Sequence, residues 1–228
     1  MSQARQAAVS WSGGKDSCLS LYRAVRSGVH ARFLLNMVNR DASRSMSHGL
    51  TPLLLSAQAE AIQIPIVQRE TTWETYERDF KAAVTELRRE GAEAMVFGDI
   101  DLVEHQEWVE RVSHEVGVEA MLPLWGCDSE RLLNEFVESG FEAVVVAANA
   151  EFFGEDWLGK RLDRRFVADV ARLAGEAGFH PLGEKGEYHT FVVDGPLFKR
   201  RIRIGDAHKV LREGYRFLDI VTYDVQDK

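Results

Sequence analysis

Val9-Ser10-Trp11-Ser12-Gly13-Gly14-Lys15-Asp16-Ser17-Cys18-Leu19 decides the fold. An apolar strand, Ala7 to Trp11, runs into a glycine turn. The turn runs into a helix, Asp16 to Ser27, with Cys18, Leu21, Tyr22 and Val25 on one face and Gly28 as its stop. Strand, glycine turn and helix in that order build an anion site. The two glycines reach backbone conformations closed to other residues and let the main chain approach a ligand closely. The helix behind offers unpaired N–H groups and the positive end of its dipole. Ser12 and Ser17 add hydroxyls and Lys15 adds a charge. Asp16 is the awkward member. It repels phosphate unless it holds the loop through backbone N–H groups or binds a metal. The spacing fits neither a Walker A loop nor the Gly-x-Gly-x-x-Gly dinucleotide fingerprint. The bland alternative is a turn that merely tolerates Gly and Ser. The strand-to-helix setting favours the phosphate site.

Outward from this turn, strands and amphipathic helices alternate. Ala31 to Val38 reads as a strand, Leu53 to Ile62 as a helix and Ile64 to Val67 as a strand. The next helix is opened by Thr71 and Glu74 as a capping box. It is striped by Trp73, Tyr76, Phe80, Val84 and Leu87 and closed by Gly91. Ala94 to Phe97 is a strand. Asp101 caps a helix carrying Trp108, Val109, Val112 and Val116, and Glu119 to Leu122 is a short strand. This alternation predicts an α/β fold with a doubly wound, mostly parallel sheet. Ligands of such sheets lie beyond the carboxyl ends of the strands. That rule gathers Ser12 to Ser17, Asn39 to Gly49 and Gly98 to Asp101 into one cleft.

The pattern changes after Pro123. Helices are expected over Asp128 to Ser139 and Asp163 to Ala177, with a β-branched strand, Phe141 to Ala148, between them. From Gly183 a Gly-rich turn leads to short strands such as Thr190 to Val193 and Phe217 to Val225. The reading is two domains, residues 1–123 and 124–228, the second a smaller α+β unit.

Composition narrows the function classes. A net charge of −8 argues against general nucleic-acid binding, which needs clustered Lys and Arg. Cys18 and Cys127 are the two cysteines, with no metal-ligand spacing, which argues against a disulfide framework or structural zinc. No apolar run approaches the ~18 residues of a membrane span. The first residues lack a signal-type apolar region. The expectation is a soluble, cytoplasmic protein without a membrane partner.

The loop resembles the signature of the PP-loop ATP pyrophosphatases. More narrowly, the chain resembles the diphthine–ammonia ligase family. The resemblance rests on Val9 to Ser17, Gln58-Ala59-Glu60-Ala61 with Ile64-Pro65, Phe97-Gly98-Asp99-Ile100, Pro123-Leu124-Trp125-Gly126 and Trp157-Leu158-Gly159. It ends in Gly183-Glu184-Lys185-Gly186-Glu187-Tyr188-His189-Thr190, leading to Asp194-Gly195-Pro196-Leu197-Phe198. It implies a Rossmann-like sheet of the HUP type and use of ATP with Mg²⁺. A substrate carboxylate is adenylated, pyrophosphate leaves, and ammonia displaces AMP to give an amide. The implied partners are ATP, ammonia and a carboxylate-bearing substrate, the family's own being diphthine on translation elongation factor 2.

Carried onto this chain, the ATP site comprises Ser12, Gly13, Gly14, Lys15, Asp16, Ser17, Gly98 and Asp99, with the backbone of Met37 and Val38 at the adenine edge. Lys15 and Asp16 are the catalytic candidates. Asp16 and Asp99 are the Mg²⁺ candidates, and Asp101 is either a further ligand or a plain helix cap. Glu184, Glu187 and His189 of the acidic turn, with His48, form the candidate acceptor wall. Tyr188, Trp125 and Trp157 are either aromatic faces for a cation or core. Gln58 and Glu60 are either site or surface residues. One departure stands out: the family often has Glu where this chain has His189, so the acceptor does not follow from the resemblance. Two other readings remain, a nucleotide sensor without turnover and a PP-loop enzyme acting on RNA. Sulfur-transfer relatives usually need a cysteine pair or a metal cluster, which argues against thiolation. Without a glutaminase signature, ammonia would come from solution.

Overall fold

Five parallel strands carry the architecture of the computed structural model, which describes residues 4–40, 44–46 and 48–228. The first half runs β1 (Gln6–Ser10), α1 (Lys15–Arg26), β2 (His30–Asn39), β3 (Arg44–Ser45), α2 (Pro52–Ile62), β4 (Ile66–Thr71), α3 (Tyr76–Arg89), β5 (Ala94–Val96), α4 (Val103–Val116) and β6 (Glu119–Met121). The parallel strands lie in the order β4-β2-β1-β5-β6, and β3 adds a two-residue antiparallel ladder at the end of β2. The chain winds outward from β1 to β4, then crosses back to β5 on the other side of β1. That reversal is the switch point at which such sheets bind ligands.

Side chains alternate across the pleat, so one strand feeds two cores. Ala7 and Val9 face a cluster with Leu21 of α1 and Leu55 of α2. Ala8 faces the opposite cluster with Phe80 of α3 and Val112 of α4. The expected doubly wound sheet is thus present.

The second half runs α5 (Ser129–Glu138), β7 (Glu142–Asn149), a 3₁₀ turn (Glu155–Trp157), α6 (Arg164–Ala177), β8 (Tyr188–Asp194), β9 (Arg200–Ile204), β10 (Ala207–Arg212), β11 (Tyr215–Ile220) and β12 (Tyr223–Asp227). It forms an antiparallel sheet, β10-β11-β7-β8, and a ribbon, β12-β9. Phe136, Val145 and Phe191 join the same apolar cluster as α1 and α2, so this core runs across the boundary near Pro123. Asp128 and Asp163 cap α5 and α6 by accepting from Arg131 N and Phe166 N.

Two expected caps are corrected. Thr71 ends β4, and α3 starts at Tyr76, because the Thr71 and Thr75 hydroxyls both bond the Asp79 carboxylate at 3.0 and 2.6 Å. Trp73 therefore precedes the helix and is 71% exposed. Leu102, not Asp101, is the N-cap of α4, since the Asp101 carboxylate meets His180 Nε2 at 2.9 Å. The expected strand from Phe217 to Val225 is two strands, broken at Val221 and Thr222.

Gln58 joins the halves. It is fully buried on α2. Its Oε1 accepts from Trp11 Nε1 at 2.9 Å, and its Nε2 donates to Gly13 O at 3.0 Å and Val192 O at 2.7 Å. Val192 N also donates to Gly13 O, at 3.0 Å. Glu60, two residues on, is exposed and pairs with Arg200 at 2.7 Å. Gln58→Leu removes the partners of Trp11 Nε1 and Val192 O and one of the two donors to Gly13 O. It should cost roughly 2–4 kcal/mol of stability, read as a lower urea midpoint at unchanged slope.

Candidate active site

The turn after β1 is packed from both sides. Gly13 has φ +78°, and a Cβ there would sit 2.5 Å from Leu55 Cδ2 and 2.7 Å from Gln58 Oε1. Only glycine fits both the angle and the space. Gly14 is the N-cap of α1, and a Cβ on it would lie 2.5 Å from His48 Nε2 and 3.1 Å from Thr190 O. Inside the turn, Gly14 N donates to Ser12 Oγ at 3.3 Å and Ser17 Oγ donates to Gly14 O at 3.1 Å. Lys15 N donates to Thr190 Oγ1 at 3.0 Å.

A cleft of about 210 Å³ opens over the carboxyl ends of β1, β2 and β5. From the loop it takes Ser12, Asp16 and Ser17; from the strand ends it takes Met37, Gly98 and Asp99. The second half and the 44–49 segment add Glu184, His189 and His48. These nine expected residues come together. Gly98 must be small, because a Cβ there would meet the Asp16 carbonyl carbon at 3.0 Å. Ser47 and residues 41–43 lie outside the described residues.

Five expected residues do not line the cleft. Gly13 is packed against Leu55 and Gln58, and Gly14 against His48 and Thr190. Val38 pairs with Ser45 in the ladder to β3. Lys15 is buried, and its Nζ donates to Asp16 Oδ2 at 2.9 Å and to Leu182 O at 2.5 Å, 4.9 Å from the centre of the Tyr188 ring. The ammonium thus neutralises Asp16 and ties the loop to the turn before β8. Glu187 is also buried, and its carboxylate is spent on that turn. It accepts from His180 N at 2.8 Å and Lys185 N at 2.9 Å. The expected Glu184–Glu187 wall is therefore one carboxylate, not two. Trp157 and Tyr188 are core, both packed edge-on against Phe153 and Phe166.

The cleft has an acidic side. Donor atoms of Asp99, His105 and Glu184 all lie within 4.8 Å of one another. His105 Nδ1 is 3.2 Å from Asp99 Oδ1, and Glu184 Oε1 accepts from Ile100 N at 3.1 Å. Burial, then the nearby charges of Asp16 and Asp99, push the Glu184 carboxyl up to about 7, against the Ile100 N–H and Lys15. A carboxyl raised by burial and by neighbouring negative charge lies where a hard divalent cation, which takes oxygen donors, would be favoured. Of the two Mg²⁺ candidates, Asp99 stands in this cluster, whereas Asp16 lines the same cleft with its Oδ2 bonded to Lys15 Nζ.

The same cleft carries two neutral histidines. The His48 and His189 rings lie 4.4 Å apart at 40°. Burial, then Lys15, lowers His189 to about 4, and burial, His189 and Lys15 lower His48 as well.

Sequence reasoning missed three features. Asn36 lines the cleft with its Nδ2 bonded to Trp11 O at 2.9 Å. His105 joins Asp99 from α4. Trp73, Tyr76, Phe80, Phe97 and Trp108 line an adjoining chamber of about 360 Å³ that shares Asp99 and His105 with the cleft. The stripe on α3 and α4 looked like ordinary core. Only the late start of α3 and the exposure of Trp73 reveal the chamber.

A phosphate-type loop at the switch point of an α/β sheet, facing carboxylates across a small cleft, defines a nucleotide-site architecture. The family descriptions that match are "Diphthamide synthase N-terminal domain" over residues 5–120 and "Diphthamide synthase C-terminal domain" over residues 128–225. The chain belongs to the diphthamide synthase family. It is 29% identical over 222 residues to the diphthine–ammonia ligase of Schizosaccharomyces pombe, covering 87% of this chain and 36% of that protein. It is 28% identical over 232 residues to the diphthine–ammonia ligase of Homo sapiens, covering 92% and 86%. A solved structure described as a predicted subunit of tRNA methyltransferase from Methanocaldococcus jannaschii aligns at TM-score 0.47 and 16% identity, over 84% of this chain and 98% of that one. No helix among the described residues is long and apolar enough to cross a membrane.

The acidic side has a pH consequence. The folded Glu184 carboxyl titrates near 7 against an ordinary 4.5, so folding favours its neutral form. That contribution is fully present below about pH 4.5 and is lost as pH rises through about 7. In the absence of divalent metal, thermal melts across this window should show wild-type stability falling relative to Glu184→Gln. A difference between the two proteins that stays constant with pH would contradict the assignment.

Proposed function

We propose that this protein is an ATP-dependent amide ligase that forms AMP. The observation that carries the reading is the cleft itself. Ser12 and Ser17 of a glycine-turned anion loop share it with Asp16, Asp99 and Glu184 at the carboxyl ends of the central strands. In this reading the loop N–H groups and hydroxyls hold the β- and γ-phosphates as one leaving group. The adenine edge lies against the backbone at Met37 and Val38. Asp16 and Asp99 would hold Mg²⁺, which supplies charge neutralisation at the phosphates.

An oxygen of the acceptor carboxylate attacks the α-phosphorus. The bond from that phosphorus to the α–β bridging oxygen breaks, and pyrophosphate leaves with the electron pair. Ammonia then attacks the acyl carbon, the bond from that carbon to the adenylate oxygen breaks, and AMP leaves. The nitrogen sheds a proton, for which Glu184, a carboxylate lining the same cleft, is the candidate acceptor. No protein nucleophile is required, because displacement at phosphorus is served by positioning and charge stabilisation. The relatives' name makes diphthine, on a translation factor, the first acceptor to test.

Incubation with ATP, ammonium and a candidate acceptor should yield AMP and pyrophosphate in equal amounts, in an ammonium-dependent manner. ADP and inorganic phosphate as primary products would end this reading. Lys15→Ala should lower kcat about 10²-fold with a smaller change in the ATP KM, by releasing Asp16 and the turn at Leu182. Lys15→Arg should rescue only part, since a planar fork does not replace a point charge in this confined site.

A further inference from the structure

His48 sits at the phosphate loop with one nitrogen unaccounted for. Its ring lines the cleft, while its Nδ1 is shielded from water and has no partner among the described residues. Its Nε2 lies against Gly14, so close that a Cβ on that glycine would stand 2.5 Å away. The ring is therefore aimed by its Nε2 end at the backbone of the anion loop.

The position of the proton follows from these surroundings. A proton on Nδ1 would be a buried donor without an acceptor, which costs about 1–3 kcal/mol. A proton on Nε2 lies against the backbone of the anion loop, where an oxygen of a ligand held there would accept it. A second proton is opposed from the elements packed around the ring. Lys15 contributes its positive charge from α1, and His189 its ring from β8. Arg44 of β3 is engaged by Gly49 O at 2.7 Å and by Asp219 at 3.1 Å. The carboxylates of Asp16 and Glu184 line the same cleft, yet burial, His189 and Lys15 still leave the imidazole less basic than usual.

We infer that His48, backed by the His189 ring, is a neutral hydrogen-bond donor whose Nε2–H takes an oxygen of a phosphate held in the loop Ser12–Ser17. A neutral donor suits this place. An imidazolium beside Lys15 would be repelled and would bind or release a proton with every ligand. The neutral ring supplies a directed donor whose charge does not change near neutrality. It adds an uncharged donor to a cleft that Asp16, Asp99 and Glu184 also line. The inference deepens the nucleotide reading above and rests on it.

The test uses the full-length protein with inorganic pyrophosphate and the non-cleavable α,β-methylene analogue of ATP. Nitrogen-15 NMR of the free protein should show His48 neutral, with its proton on Nε2, across about pH 6 to 8. Pyrophosphate should then shift the Nε2 resonance. Calorimetry should give pyrophosphate affinity about tenfold weaker in His48→Leu, the loss of one hydrogen bond. His48→Gln, whose amide restores a donor, should recover most of that affinity. A merely structural role would show no such recovery. A His48 proton on Nδ1, a His48 titration near its ordinary value, or wild-type affinity in a folded His48→Leu would each overturn the inference. Wild-type protein that binds neither probe would instead overturn the phosphate reading, and this inference with it.

Discussion

The carbonyl of Gly13 is the point on which the site depends. It accepts two hydrogen bonds, one from Gln58 on α2 and one from Val192 on β8. Gly13 can take this position because its backbone is left-handed and no side chain is present to strike Leu55. The bonds pull a turn from the first half of the chain onto a strand from the second. Lys15 repeats the tie through Thr190 and Leu182. The anion loop is thus assembled by the whole fold. Glu184 and His189, more than 160 residues away in sequence, reach the same cleft because β8 is stapled there.

The electrostatics of the cleft follow from that assembly. Buried groups of one sign cannot share a small space without shifting one another. The carboxylates collect beside the ends of β1 and β5, where Asp16 already balances Lys15. His48 lies against Gly14 with the His189 ring beside it, and burial and the same Lys15 keep both uncharged. Lys15 lies between the two groups. Its role in this geometry is to balance charge and to hold the turn at Leu182, which differs from the cleft-facing charge suggested by the loop motif alone.

Much of the first half was legible in the sequence because its signals are local. Apolar stripes, glycine stops and the strand–turn–helix at Ser12 to Ser17 each describe a few neighbouring residues, and the strand-end rule then brings them together. Longer-range choices were not legible. Thr71 read as a cap because its spacing to Glu74 fits one, but the competing partner was Asp79. Glu187 read as a site carboxylate because it neighbours Glu184. Whether it faces the cleft or closes its own turn depends on the path of residues 180–187, which no periodicity encodes. β9 and β10 escaped notice because an Arg-rich strand such as Arg200–Ile204 shows little apolar signal until its partner, β12, is in place. The aromatic chamber of Trp73, Tyr76 and Trp108 was hidden for the opposite reason: aromatic residues at helical spacing are usually core.

The central claim is that the cleft activates a carboxylate by joining it to the α-phosphate of ATP. The most direct measurement follows oxygen. An acceptor whose carboxylate carries oxygen-18 is converted with ATP and ammonium, and the AMP is analysed by mass spectrometry and phosphorus NMR. Adenylation followed by attack of ammonia at the acyl carbon leaves one labelled oxygen on the phosphate of AMP and the other in the amide. The account predicts that distribution. Amide product accompanied by AMP without label would contradict it.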